Sequence, residues 1–253
     1  MLYVGTSGWQ YAHWKRVFYP AKLRPSEWLP YFAERFQTVE VNNTFYMLPE
    51  ASVFEQWRRH TPSDFVFALK MSRYLTHLKR LREPADPVKR FKERARRLGP
   101  KLGPILLQLP PNLMADVERL DETISALGRS VKVAVEFRNE AWFTPETRKV
   151  LERHVAALCL ADSPSRKQPI WRTAGWGFVR FHEGEGAHAP GYEHDVLRRW
   201  VSRIAETWPR TADVYVYFNN DTGGYALKDA VTFAELAEAA GLRTTRVPST
   251  SAA

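Results

Sequence analysis

The chain has 253 residues, 44% of them hydrophobic, and a formal net charge of +9 at pH 7. This length and apolar content allow one domain with a large core, and nothing in the sequence indicates a second domain. No apolar run approaches the about 20 residues of a membrane span, and no leader pattern is evident, so we expect a cytoplasmic protein without membrane contact. The single cysteine, Cys159, excludes an internal disulfide and lies in an apolar run.

Eight short apolar runs recur along the chain, and most of them end in polar residues. Helix-like amphipathic sequence fills most of the intervals, which is typical of strand–helix–strand units in a parallel sheet. A (β/α)8 barrel takes about 250 residues, which agrees with this chain. We therefore predict an α/β fold, a single (β/α)8 TIM barrel over residues 1–247, with a flexible tail over residues 248–253. The runs are Leu2–Val4, Thr38–Val41, Phe65–Leu69, Pro104–Leu109, Lys132–Phe137, Ala156–Leu160, Gly177–Phe181 and Val214–Phe218.

Start signals support the helices between these runs. Ser52 to Glu55 matches a capping box, and Thr144 precedes a proline at a first helical position. The interval 162–175 contains two prolines and lacks a 3.6-residue period, which predicts an irregular crossover between strands 6 and 7. The predicted helices are Glu27–Phe36, Ser52–His60, Val88–Leu98, Val117–Leu127, Pro145–His154, Val196–Glu206 and Thr232–Ala240.

Alternation along each run predicts which side chains point into the barrel. In the second run, Val39 and Val41 share one face, and Glu40 and Asn42 share the other. The valines would pack on helices, so the polar pair would face the interior. Because the chemistry of such barrels lies at the carboxyl ends of the strands, inward polar residues there are site candidates. The inward set is Glu40, Asn42, Lys70, Gln108, Glu136, Arg138, Arg180, His182, Tyr217 and Asn219.

Three of these residues are the candidate catalytic groups. Glu136 or Glu40 could act as general base, and His182 as acid or base. Each of them has a structural alternative, because buried charges are usually paired and a buried imidazole often serves only as a hydrogen-bond partner.

The cations and amides of the inward set would hold phosphate oxygens and orient a substrate, while aromatic rings near the strand ends would stack on a base or a sugar. Packing of loops over the barrel is the alternative for the rings. Lys70 would form a Schiff base only if desolvation removed its proton, so anion binding is the favoured hypothesis for it. The predicted substrate-binding residues are Trp9, Asn42, Tyr46, Lys70, Gln108, Arg138, Trp142, Arg180, Tyr217 and Asn219.

No cofactor motif is evident in the sequence, and we assign no metal ligand. A divalent metal is possible, because Glu40, Glu136, Asp162 and His182 could supply oxygen and nitrogen ligands from separate strands. However, no two histidines stand at a ligand spacing such as i, i+4 on one element.

Most of the positive charge lies in one segment. Residues 79–101 contain ten basic and three acidic residues, a local charge of +7. A localised patch of this kind attracts polyanions such as DNA or RNA. The alternative is an ordinary solvated helix face.

Longer motifs carry a resemblance to a known family. They include Gly5–Trp9, Val39–Tyr46, Gln108–Pro111, Arg180–His182 and Tyr217–Asp221. Together, with matches along nearly the whole chain, they resemble the YecE-like family, domain of unknown function seventy-two. The resemblance implies a TIM barrel without a settled reaction. The family's barrel looks similar to those of endonuclease IV-type and sugar-isomerase-type proteins, but this chain lacks their strand-end histidine set.

The favoured hypothesis is a hydrolase or lyase that acts on an anionic, phosphate-bearing substrate, with nucleic acid the first choice. One alternative is a carbohydrate-active hydrolase that uses Glu40 and Glu136 as paired carboxylates. The other is a non-catalytic nucleic-acid-binding module that uses the segment 79–101. The sequence does not identify protein partners.

Overall fold

A closed barrel of eight parallel strands forms the centre of the protein in the computed structural model, which describes residues 1–162, 168–182 and 191–249. Each strand pairs with its neighbours in chain order, and the last strand closes on the first. The predicted TIM barrel is therefore confirmed. The strands are β1 (Leu2–Ser7), β2 (Thr38–Val41), β3 (Val66–Lys70), β4 (Leu102–Gln108), β5 (Val133–Glu136), β6 (Ala157–Asp162), β7 (Gly177–Phe181) and β8 (Val214–Phe218).

Helices cover the outside of the barrel, and none in the described part of the chain is long and apolar enough to cross a bilayer. The seven predicted helices are present; Val117–Leu127 has the predicted ends, while the other six differ at one or both ends, and the last begins at Tyr225 instead of Thr232. The one-turn helix α2 follows β2 and was not predicted. The helices are α1 (Trp28–Arg35), α2 (Asn43–Tyr46), α3 (Ala51–Arg59), α4 (Ala85–Ala95), α5 (Val117–Leu127), α6 (Pro145–Arg153), α7 (His194–Thr207) and α8 (Tyr225–Ala239).

The two predicted helix starts have different outcomes. The Thr144 hydroxyl accepts the backbone N–H of Thr147 at 3.2 Å, so Thr144 caps α6 as predicted. The capping box at Ser52 is wrong, because α3 begins one residue earlier and Ser52 lies inside it. Between β6 and β7, the described residues 168–176 contain no helix, in line with the predicted irregular crossover. Most of that crossover's first half, and the predicted tail beyond Ser249, lie outside the described residues.

Strand alternation divides the core into two layers, as predicted. Val39 and Val41 pack outward in the layer between sheet and helices, while Ala68, Leu106 and Cys159 belong to a separate cluster inside the barrel. Apolar and aromatic side chains thus fill the lower interior, and the polar residues are left at the carboxyl ends of the strands. Because the rest of the barrel interior is filled, the inward polar side chains can form a site only at the carboxyl ends of the strands.

We expect Gly5→Ala to destabilise the barrel. A Cβ at this position of β1 would lie 2.3 Å from the carbonyl oxygen of Thr38 on β2, and backbone atoms of two paired strands cannot both give way. Urea denaturation should show a free energy of unfolding lower by about 1–3 kcal/mol, the usual cost of overpacking. Gly175→Ala is the matched control, since a Cβ there meets nothing within 4 Å. Equal stability of the two variants would contradict the close approach of β1 and β2.

Candidate active site

Arg180 on β7 lies in the barrel interior between carboxylates from two other strands. Its Nε is 2.7 Å from Glu40 Oε1, and its Nη2 donates to Glu40 Oε2 at 2.8 Å. Its Nη1 donates to Glu136 Oε2 at 2.5 Å. All three side chains are at most 1% exposed. The fork of a guanidinium suits this arrangement, because it can engage two carboxylates at once.

These ion pairs fix the protonation of the buried groups. Burial alone would raise the pKa of Glu136, but Arg180, His182 and Arg138 together hold that pKa well below its usual value. Burial alone would lower the pKa of Arg180, but Glu40 and Glu136 raise it above its ordinary value. Arg180 and Glu136 therefore stay charged at neutral pH, and Glu136 is a poor proton donor.

A second set of contacts extends the pairs toward the mouth. Arg138 Nε donates to Glu136 Oε1 at 2.9 Å, and its Nη2 donates to Gln108 Oε1 at 3.2 Å. The Arg138 side chain is 29% exposed, so this guanidinium reaches from the buried cluster to solvent. The Ser7 hydroxyl donates to Glu40 Oε2 at 2.5 Å. Ser7 was not predicted, although alternation along β1 places it on the inward face with Tyr3.

His182, just beyond β7, contacts the same cluster through one nitrogen. Its Nε2 lies 2.8 Å from Arg180 Nη1 and 3.4 Å from Glu136 Oε1. Burial, and then the charge of Arg180, lower the pKa of His182 against the opposing effect of Glu136. The ring is therefore neutral at pH 7. Its other edge faces Asn219, which in turn accepts a hydrogen bond from Asn42 at 3.3 Å.

Lys70 differs from the two arginines in its contacts. It ends β3 with 8% exposure, and its Nζ lies 4.3 Å from the centre of the Phe45 ring. Among the described residues, no acceptor lies at hydrogen-bond distance from this amine. Burial, and then the positive charge of Arg180, lower the pKa of Lys70 to about 8. The negative charges of Glu40 and Glu136 oppose this shift, and the positive charge of Arg138 adds to it.

Positive charge is in excess in this cluster. Lys70, Arg138 and Arg180 carry three positive charges, against two negative charges on Glu40 and Glu136. The carboxylates are already engaged by the two guanidiniums, so the charge of Lys70 has no direct counterion within the described cluster. A desolvated charge of this kind is costly unless a ligand compensates it.

A groove of about 460 Å³ opens at the mouth beside Phe45. Its walls include Tyr46 and Tyr74, which are 76% and 55% exposed, together with Lys79 and Arg90. The groove is thus lined both by Phe45, whose ring Lys70 contacts, and by residues of the basic segment.

Comparison with known proteins identifies the family. Residues 3–252 match the family described as "Protein of unknown function DUF72". The chain belongs to the DUF72 family. It is 30% identical over 245 residues to the UPF0759 protein YecE of Escherichia coli K12, covering 87% of this chain and 86% of YecE. It is 26% identical over 270 residues to the UPF0759 protein YunF of Bacillus subtilis 168, covering 93% and 94%.

Solved structures of the DUF72 family share the barrel. A family protein from Thermotoga maritima MSB8 superposes with a TM-score of 0.80 at 30% identity, covering 94% of this chain and 99% of that protein. A second one, from Enterococcus faecalis V583, gives a TM-score of 0.78 at 18% identity, covering 94% and 96%. The family assignment thus agrees with the motif resemblance and with the fold, and it carries no reaction with it.

The predicted aromatic residues of this DUF72 chain lie in two different environments. Tyr46 is exposed at the groove, where a ring can stack on a ligand. Trp9 is 3% exposed and packs edge-on against Trp57, and Trp142 is fully buried against Phe137. Tyr217 is also fully buried, with its hydroxyl 2.7 Å from that of Thr38. The three enclosed rings have no free face and serve packing instead.

The four potential metal ligands do not converge. Asp162 points away from the barrel interior and accepts a hydrogen bond from Trp200 of α7 at 3.0 Å. Glu40 and Glu136 are engaged by Arg180. Within the described ranges, no group of three or more His, Cys, Asp or Glu side chains has the arrangement of a metal site.

A second polar cluster at the mouth was not predicted from the sequence. His13 Nε2 lies 2.9 Å from Asp221 Oδ2, and the indole N–H of Trp14 donates to Asp221 Oδ1 at 2.9 Å. Tyr11 lies between this pair and Ser7, whose carbonyl accepts its hydroxyl at 2.5 Å. Asp221 lies two residues beyond the inward Asn219, and this spacing could have indicated that Asp221 also lies at the mouth.

The basic segment is only partly free to bind a ligand. Lys101 is buried and donates to the carbonyl oxygens of Arg58 and Thr61 at 2.5 and 2.7 Å. Arg94 and Arg97 form ion pairs with glutamates of the α3 region, at 3.0 and 3.2 Å. These three residues connect the segment to its neighbours. The basic residues of the segment that stay exposed are Arg82, Lys89, Arg90, Arg96 and Arg97.

We expect Arg180→Met to destabilise the protein more at pH 8 than at pH 5. In the native protein, the lowered pKa of Glu136 contributes stability that is present above its ordinary pKa and lost as the pH falls. Without Arg180, the buried carboxylates favour protonation, so the variant loses stability as the pH rises. Urea denaturation at pH 8 should show a loss of about 3–5 kcal/mol, as for other broken buried pairs.

Arg148→Met provides the control for this variant, because Arg148 pairs with Glu152 at 2.8 Å on the exposed face of α6. Its loss should change stability little at either pH. If Arg180→Met were no more sensitive to pH than Arg148→Met, the buried network would not control the charge of Glu136.

Proposed function

We propose that the barrel mouth binds a phosphate-bearing substrate and that this DUF72 chain acts on it as a hydrolase or lyase, with nucleic acid the favoured substrate class. The proposal rests on the excess positive charge of the buried cluster. Two carboxylates already engage two guanidiniums, which leaves the charge of Lys70 for a ligand. A phosphate oxygen between Lys70 and the partly exposed Arg138 would supply the missing negative charge.

The catalytic roles follow from the protonation states. Glu136 is held ionised, so in this proposal it fixes Arg180 and Arg138 instead of donating a proton. His182 is the better candidate for moving a proton, because its lowered pKa keeps the ring neutral, and a neutral imidazole has one nitrogen that can accept a proton and one that can donate. Glu40 holds Arg180 from the opposite side.

The carbohydrate-hydrolase alternative is less compatible with this cluster. Hydrolysis of a glycosidic bond by two carboxylates requires one of them to be protonated and to donate its proton to the leaving group. Arg180 contacts both Glu40 and Glu136, and it stabilises the ionised form of a carboxyl group.

Nucleic acid is favoured among phosphate-bearing substrates because of the groove at the mouth. Tyr46 and Tyr74 offer exposed rings to bases, and the groove continues to Arg90 of the basic segment. DNA or RNA would thus contact the segment 79–101 while one phosphate occupies the mouth. A module that only binds nucleic acid would use the basic segment without the buried cluster.

We expect Lys70→Met to weaken phosphate binding at least tenfold. Titration calorimetry with inorganic pyrophosphate would measure the affinity, and Lys149→Met on exposed α6 removes the same charge as a control. Because the Lys70 pKa is about 8, the protonated form exists below that pH and disappears above it. The native affinity should therefore fall between pH 7 and 9. Unchanged affinity in Lys70→Met would refute the assignment of the mouth as the phosphate site.

A second prediction separates the basic segment from the mouth. Replacing Lys89, Arg90 and Arg96 by serine should weaken binding of a single-stranded oligonucleotide and reduce its dependence on salt, because fewer counterions are released. Pyrophosphate binding should be unaffected. Fluorescence anisotropy of the oligonucleotide across a salt series measures its affinity and the salt dependence of that affinity. Oligonucleotide affinity that survives the triple substitution would exclude these three residues from the binding surface.

A further inference from the structure

Of the three cations in the buried cluster, Lys70 makes the fewest polar contacts. The Arg180 guanidinium is fixed by two carboxylates, and that of Arg138 by Glu136 and Gln108. The amine of Lys70 rests on the Phe45 ring instead, with no acceptor at hydrogen-bond distance among the described residues. No described hydrogen bond therefore stabilises the protonated form of this amine.

The environment of Lys70 favours loss of that proton. Burial and the nearby charge of Arg180 are the main causes that bring its pKa to about 8, from about 10.5 for an ordinary lysine. At pH 7.5 roughly a quarter of the Lys70 amines would be neutral, against about one in a thousand for an exposed lysine. The ionisable groups that face Lys70 are Glu40, His77, Glu136, Arg138 and Arg180.

Position completes the argument. Lys70 ends β3 with its side chain inward, at the end of the barrel where substrates bind. Neighbouring His77 adds no positive charge there at neutral pH, because burial and then Lys70 itself lower its pKa to about 4. A neutral amine beside two fixed guanidiniums is a nucleophile placed next to an anion site.

We propose that Lys70 forms an imine with the carbonyl carbon of a phosphate-bearing aldehyde or ketone, such as an open-chain sugar phosphate. This inference rests on the proposed function, because the partly exposed Arg138 must hold the phosphate while the amine reacts. It favours a lyase over a hydrolase, since an imine withdraws electrons from the bonds next to the former carbonyl carbon.

The chemical step needs no further reactant. The nitrogen lone pair of Lys70 attacks the carbonyl carbon, and a proton passes from nitrogen to oxygen to give a carbinolamine. Loss of the hydroxyl group with the second nitrogen proton releases one water molecule and leaves the carbon–nitrogen double bond. Hydrolysis by one water molecule reverses the reaction and restores the free amine.

Reductive trapping tests the inference on the whole protein. Glyceraldehyde 3-phosphate and cyanoborohydride would convert an imine to a stable secondary amine, and peptide mass spectrometry would locate the modified lysine. We expect Lys70 to be modified at least tenfold faster than exposed Lys149 at pH 7.5. Its rate should level off above pH about 8, while that of Lys149 keeps rising. Glyceraldehyde without phosphate should modify Lys70 much more slowly.

The variant Lys70→Arg keeps the positive charge and removes the primary amine. It should lose the rapidly formed adduct, because a guanidinium has no primary amine to form the imine. If Lys70 in the native protein reacts no faster than Lys149 while pyrophosphate still binds, the imine inference is overturned and the phosphate site stands. If pyrophosphate does not bind the native protein at all, the proposed function fails with it.

Discussion

A buried guanidinium must be neutralised, and this requirement organises the upper half of the barrel. Arg180 is about as far from water as Phe178 two residues before it, yet it carries a full charge. It is stable there because β2 and β5 each present a carboxylate to it. One side chain thus connects three strands that are not adjacent in the sheet. The filled apolar interior below supplies the low dielectric that makes these pairs strong once their desolvation is overcome.

The same arrangement limits what the site can do. Carboxylates committed to Arg180 are fixed charges, and His182 is kept neutral by burial and by the guanidinium beside it. The groups left to act on a ligand are therefore cations and a neutral imidazole, which suits an anion that has to be held and polarised. Because the pKa of Lys70 is about 8, a small change in its environment shifts this amine between the charged form and the neutral, nucleophilic form.

The residues that the sequence predicted well are those governed by one strand alone. Alternation placed Glu40 and Arg180 inside the barrel, because the period of a strand is local. It could not show that they meet, since 140 residues separate them and only barrel closure joins them. It was least informative beyond the strand ends, where loop packing encloses Trp9 and Trp142. Asp162 is a different case, because it ends β6 on the face opposite to inward Cys159, so alternation itself places it on the outer side, where it accepts a hydrogen bond from Trp200 of α7.

The long sequence separations have a consequence for how the protein reaches its working state. The contact of Glu40 with Arg180 joins an early and a late part of the chain, so it forms only when the sheet closes, whereas Ser7 meets Glu40 on the neighbouring strand. Until then, each charged group remains hydrated and separate from the others. The buried charge network is therefore complete only in the closed barrel, where Arg180 of β7 meets Glu40 of β2 and Glu136 of β5.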